Sequence, residues 1–227
     1  QPYFFPYIGY FQLINSVDEF VIYDNIQFTK KGWINRNRIL VNGKADYITL
    51  PIQKDSHDLN VKQRLLSETW SFERKKILNR IVESYRKAPQ FEQVYPLLEN
   101  CLNAEISNLF DFIHNSLIET LSYLSITTKI TISSSIRIDH QLKSEIKVLE
   151  ICKTKKALTY INSIGGTELY KKDSFELNGI KLQFQESKPI IYSQFNNEFI
   201  PWLSIIDVLM FNTKEEVRFF LNNYNLI

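Results

Sequence analysis

The chain opens on Gln1-Pro2-Tyr3-Phe4-Phe5-Pro6-Tyr7-Ile8-Gly9-Tyr10-Phe11-Gln12, a run of rings broken by two prolines and a glycine. Each proline fixes φ and removes a backbone donor. The residue before each one is pushed toward extended geometry. No ordinary strand or helix accommodates this, so the first seven residues read as a stiff loop that carries rings into a core or a pocket wall. Beyond Pro6 the restriction lifts, and Ile8 to Asn15 can form a short helix. Phe20 to Tyr23 is a short apolar, β-prone run that reads as a buried strand. Asp24 and Gln27 follow it, and polar groups just past a strand end are where α/β sheets place ligands.

Trp33 to Val41 alternates, with Arg36 and Arg38 on one face and Asn35 and Asn37 on the other. Asn42-Gly43 is a two-residue hairpin turn, and Asp46 to Ile52 returns as the partner strand. The middle is helical. Glu68 to Arg86 places Trp70, Ile77, Leu78, Ile81 and Tyr85 at helical spacing, and Ala88-Pro89 ends it. Phe91 to Leu102 and Glu105 to Leu124 continue in the same style. Lys129 to Ile132 is a strand, with three serines at its end. Leu142 to Lys153 is a helix with Ile146, Leu149 and Ile151 expected inward. Leu158 to Ile161 is a further strand, and this strand–helix–strand order is the unit of a parallel sheet. Ile180 to Phe184 and Ile190 to Tyr192 add strand-like pieces, and two helices close the chain. The prediction is one α/β domain over residues 1–227. It has a parallel-type sheet, an inserted β-hairpin and a helical section at about 68–125.

Composition narrows the function. Hydrophobic residues make up 44% of the 227, enough for a substantial core. The 27 basic and 25 acidic residues leave a net charge of +2. That balance gives no case for nucleic acid or an anionic membrane as the main partner. No apolar run is long enough to span a bilayer, and no signal-peptide pattern appears, so membrane insertion is not expected and the expected location is the cytoplasm. Cys101 and Cys152 read as buried free thiols rather than a disulfide framework. The three histidines, His57, His114 and His140, show no metal-ligand spacing.

Each polar motif carries two readings. Asp24 and Gln27 suit a sugar hydroxyl or an amine, or else cap a turn. Arg36 and Arg38 offer the planar fork that grips phosphate, or else a solvated hairpin face. Ser133-Ser134-Ser135 suits phosphate at a helix start, though ordinary capping is the favoured reading. His140, beside Asp139, suits a base or a surface position. Ser204 reads as an N-cap with Asp207 at N3, where Asp207 can also face a pocket. Tyr192 and Gln194 alternate on a strand, where a ring beside an amide suits a sugar-binding surface or else a core edge.

Taken in order, several of these elements resemble the WbqC-like proteins. They are the opening Gln-Pro-x-x-x-Pro-x-x-Gly-Tyr-Phe, Phe20 to Asp24 with Gln27, Trp33 to Arg38, Tyr85-x-x-Ala88-Pro89, Gly165-Gly166 to Tyr170, Tyr192-x-Gln194, and Pro201-x-x-Ser204-Ile205-Ile206-Asp207. The resemblance implies a bacterial protein of surface-polysaccharide clusters, such as those for O-antigen. It suggests transfer of a glycyl or similar acyl group to an amino sugar carried on a nucleotide or lipid; the alternative is a non-catalytic binder or scaffold of the same pathway. On that reading Asp24 is the base or amine positioner, with Gln27 beside it. Arg36 and Arg38 hold phosphate, while Asn37 and Gln194 orient hydroxyls. Gln1, Tyr3, Tyr7, Tyr10 and Asp207 line the substrate site. ATP, a thioester or an aminoacyl-tRNA all remain open as the source of the activated acyl group.

Overall fold

The structure, a computed structural model, describes residues 1–227. After the proline loop, helix α1 (Ile8–Asn15) is buried from Ile8 through Ile14. Strand β1 (Glu19–Ile22) follows, then the hairpin β2 (Arg36–Val41) and β3 (Lys44–Thr49). Asn42 and Gly43 have φ of 50° and 73°, the positive values that a tight hairpin turn needs at both central positions. The helical middle is α2 (Trp70–Tyr85), α3 (Phe91–Asn103) and α4 (Leu109–Leu124). Helix α4 starts where the Asn108 side chain accepts the Asp111 amide, and it ends on Ser125 in the left-handed region. Strand β4 (Lys129–Ile132), helix α5 (Ser144–Thr154), strand β5 (Thr159–Ser163), helix α6 (Lys172–Glu176) and strand β6 (Lys181–Ser187) follow. The chain closes with α7 (Ile205–Phe211), α8 (Lys214–Leu221) and β7 (Tyr224–Leu226).

The fold is α/β with parallel pairs and an antiparallel hairpin. Strand β1 lies parallel to β4, from Glu19 opposite Lys129 to Ile22 opposite Ile132. The hairpin and all three middle helices are spliced between these two strands. Strand β5 lies parallel to β6, and β7 adds antiparallel to the far edge of β6. This corrects the expected β4–α5–β5 unit, because β4 and β5 belong to different sheets. Their burial explains the split. Ile22, Ile130 and Ile132 pack on the main core, which runs from Phe4 to Leu221. Strands β5 and β6 instead close a small second core around Phe175, Val148, Cys152 and Phe184. The segment Ile190 to Tyr192 is no strand either. It follows Pro189, which cannot donate to a ladder, and side chains hold it in place.

On one helix the apolar pattern holds at Ile151 and Leu149 but fails at Ile146. On α5, Ile146 is 64% exposed while Lys147 is only 7% exposed. An apolar residue faces water and a charge is buried, so propensity and burial disagree at this point. Such local conflicts mark sites kept for a purpose other than stability.

Candidate functional site

Asp24 sits just beyond the carboxyl end of β1 and is fully buried. The end of β4 lies alongside, and its continuation tightens into a 3-10 turn over Ser133–Ser135. That turn aims two donors at Asp24: the Ser133 hydroxyl and the Ser134 amide, each 2.9 Å from Oδ1. Ser133 also reaches the Asn25 side-chain oxygen at 2.8 Å. The serines are therefore not plain caps, since no side-chain cap closes this turn.

A cation comes from the long connection after the hairpin. Residues Asn60 to Lys62 run beside Asp24 to Gln27, with the Val61 amide on the Ile26 carbonyl and the Lys62 amide on the Asp24 carbonyl. This brings Lys62 Nζ to 3.3 Å from Asp24 Oδ2 and 2.9 Å from the Ser134 hydroxyl. Burial alone would raise the proton affinity of Asp24. The hydrogen bonds from Ser134, Ser133 and Lys62 outweigh it, so the carboxyl lies below its ordinary value and is ionised.

Helix α5 completes the cluster. Lys147 Nζ is 3.5 Å from Asn25 Oδ1 and 5.5 Å from the Tyr23 ring centre. It makes no ion pair with any carboxylate. His140 spans the gap, with Nε2 on the Ile136 carbonyl and Nδ1 on the Asn25 amide, both at 3.0 Å. A carbonyl can only accept, so Nε2 carries the proton and Nδ1 presents a lone pair. An ionised carboxylate, two lysines, a serine pair and a neutral imidazole thus meet at the carboxyl ends of parallel strands.

The other residues expected at the site lie elsewhere. Gln27 turns outward and donates to the His57 carbonyl at 3.1 Å. Arg36 places its Nε and Nη2 on the carbonyls of Gly32 and Lys31 and lies over the Tyr47 ring. Arg38 donates to the Trp202 carbonyl at 3.3 Å and lies over Trp33. Both guanidinium groups hold the outer face of the hairpin, and neither contacts Asp24. Asn37 points inward, donating to the carbonyls of Phe4 and Phe5 at 3.2 and 2.8 Å. It pins the proline loop. Tyr3 and Tyr10 bond to Gln1, and the two rings pack 5.7 Å apart. Tyr7 leaves them and meets Trp202 edge-on at 5.6 Å.

Asp207 and Gln194 form a second buried centre. Asp207 accepts from the Tyr85 hydroxyl at 2.8 Å, the Tyr192 hydroxyl at 2.6 Å and the Gln194 amide at 2.7 Å. Gln194 also clasps both the amide and the carbonyl of Ile200. Tyr85 in turn accepts the Leu40 amide. Every group here is bound to another part of the chain, so the network ties the hairpin, the 190–200 segment and α7 together.

Both cysteines are free and buried. Burial pushes Cys101 up to about 12 and Cys152 up to about 11. No set of three or more His, Cys, Asp or Glu side chains is placed to hold a metal ion.

The sequence profile of the WbqC-like protein family matches residues 1–219. The chain belongs to the WbqC-like protein family. A relative, the uncharacterized protein Rv1507c of Mycobacterium tuberculosis, is 30% identical over 226 residues. The match covers 96% of this chain and 94% of that protein. No solved structure matches the chain. In this WbqC-like protein Asn25, Lys62 and Lys147 join Asp24, yet none of the three stands out in the sequence. Lys62 lies in a single 3-10 turn, Val61–Gln63, within a long connection, and Lys147 breaks the helical pattern. No helix is long and apolar enough to cross a membrane.

Proposed function

We propose that this WbqC-like protein is a transferase of bacterial surface-polysaccharide assembly that forms an amide on an amino sugar bearing phosphate. Its reacting centre is the cluster of Asp24, Asn25, Lys62, Ser133, His140 and Lys147. The observation that carries this reading is Lys147: a nine-tenths buried cation with no carboxylate partner. Burying an unpaired charge is costly, and a phosphate on the substrate would supply the missing negative charge. Lys62 would share that anion from the open side.

In the reaction the neutral amine nitrogen attacks an activated acyl carbon. A carbon–nitrogen bond forms, the acyl group's leaving group departs with its electron pair, and the amine loses a proton. Asp24, already ionised, is better suited to hold and orient the amine than to take its proton. His140, whose unprotonated Nδ1 accepts the Asn25 amide at 3.0 Å, is the group that would accept it once that amide turns away. Lys62 and the Ser134 hydroxyl are donors for the oxyanion that develops on the acyl oxygen. One observation favours a second reading, a binder of the same precursor without turnover: Asp24 is fully buried.

Calorimetric titration with nucleotide-linked amino sugars tests the binding step. The wild type is expected to bind, and Lys147→Met to lose at least about tenfold in affinity. The same substitution is expected to leave stability unchanged or raised, because it removes an uncompensated buried charge. Equal affinities in the two proteins would remove the reading. If binding holds, product formation with an activated acyl donor separates the enzyme from the binder.

A further inference from the structure

A cavity of about 320 Å³ lies far along the chain from Asp24, between the start of α1 and the 187–203 segment. Its wall includes Tyr7, Ile190, Ile191, Tyr192, Phe199 and Trp202. This volume is at the lower end of the range for small-molecule sites. No Asp, Glu, Asn, Gln or Arg side chain lines it, and its one charge is Lys188. Lys188 is exposed and makes no ion pair.

Three features mark this cavity as more than a packing defect. Its rim leaves Ile191 76% and Trp202 57% exposed. Trp202 also has a φ of 61°, and the neighbouring Phe5 one of 40°. Bulky residues persist in that region only when the surroundings enforce it, and such strain gathers at ligand sites. Here the enforcement is visible. Arg38 holds the Trp202 carbonyl, and the Ser204 hydroxyl holds the Phe5 carbonyl at 2.7 Å. Finally, Tyr7 reaches the wall by lying across Gly9, where any Cβ would collide with its ring. The glycine is what allows the ring to be there.

We infer that this cavity binds a phosphate-headed hydrocarbon chain, its body against the rings and its phosphate on Lys188. A sugar or a nucleobase needs amides and carboxylates to replace its bonds to water. Gln194 and Asp207 are spent on each other and on the lining residue Tyr192. A lone lysine binds phosphate as a point charge, and it attracts a phosphate monoester, which carries about −1.5 to −2 charges at neutral pH, more than a singly charged carboxylate head. The inference stands apart from the Asp24 centre and does not depend on it.

Trp202 reports occupancy directly. Titration of the intact protein with geranyl phosphate, followed by tryptophan emission, is expected to give a saturable blue shift that is absent in Trp202→Phe. Lys188→Ala should weaken geranyl phosphate by roughly three- to tenfold and leave geraniol unaffected. Gly9→Ala should weaken both by displacing Tyr7. Decanoate should bind less tightly than geranyl phosphate. No saturable shift would overturn the site. An equal shift with uridine monophosphate, or no effect of Lys188→Ala, would overturn the ligand class. Lys188 lies on the surface, so that variant folds and the result can be read.

Discussion

Two carboxylates are completely buried in this protein, and their surroundings drive them in opposite directions. Asp24 receives a serine hydroxyl, a backbone amide and a lysine, and it lies below its ordinary value. Asp207 receives two tyrosine hydroxyls and an amide, all neutral, and it lies above its ordinary value because burial outweighs those bonds. The difference lies in the donors: the hydrogen bonds from Ser134 and Ser133 outweigh burial at Asp24 and the Lys62 cation adds to them, whereas those from Tyr192, Tyr85 and Gln194 do not outweigh it at Asp207. A carboxylate held ionised beside Lys62 at the carboxyl ends of parallel strands is the one on which the proposed site is built. A carboxylate enclosed by neutral donors from three chain segments is arranged to hold them together. Burial and hydrogen-bond count alone would not separate the two roles.

The largest effect is expected from Asp207→Ala. Removing the acceptor strands three buried donors, and urea unfolding should show a loss of about 3–5 kcal/mol. A loss under about 1 kcal/mol would mean that the network is not a clamp. Next comes the pH dependence of stability. For Asp24 the folded value is depressed, so its contribution is present above the ordinary 3.8 and is lost as pH falls through the lower folded value. For Asp207 the folded value is raised, so its contribution is full below 3.8 and declines as pH rises through the higher folded value. Denaturation midpoints measured across the acid range should therefore lose their decline below 3.8 in Asp24→Asn and their decline above it in Asp207→Asn. Matching profiles would erase the contrast.

A smaller effect, about 1–2 kcal/mol, is expected for Ser133→Ala, which removes the one hydroxyl proton that Asp24 and Asn25 share. Lys62→Met should cost under about 1 kcal/mol, because the lysine is largely exposed and screened. It should nevertheless weaken ligand binding and move the Asp24 carboxyl upward. A Lys62 variant that binds as the wild type does would confine the site to Lys147.

Features governed by local chemistry were legible in the sequence. The proline spacing placed the start of α1, Asn42-Gly43 placed the hairpin turn, and the break past Phe20 to Tyr23 placed Asp24 at a strand end. The alternation of Asn35 to Arg38 correctly separated the asparagines from the arginines, and the structure shows that the asparagine face is the buried one. Where the sequence reading failed, long-range contacts decided. Lys62 reaches Asp24 only because the short 3-10 turn Val61–Gln63 and Asn60 before it pair with residues 24–27. Ser133 looked like a cap because its acceptors lie over a hundred positions earlier. Helical periodicity assigned Ile146 to the interior, and the buried Lys147 is the reason it is not there. Asp207 does lie in the first turn of α7 behind the Ser204 cap, as read, but its partners from α2 and the 190–200 segment were not visible in the sequence.

Carbon-detected NMR titration of the side-chain carboxyls, with Asp24→Asn and Asp207→Asn for assignment, addresses the contrast most directly. The account predicts that Asp24 titrates below 3.8 and Asp207 above it, and that Lys62→Met raises Asp24 alone. An Asp24 that titrates above Asp207, or that ignores Lys62, would contradict it.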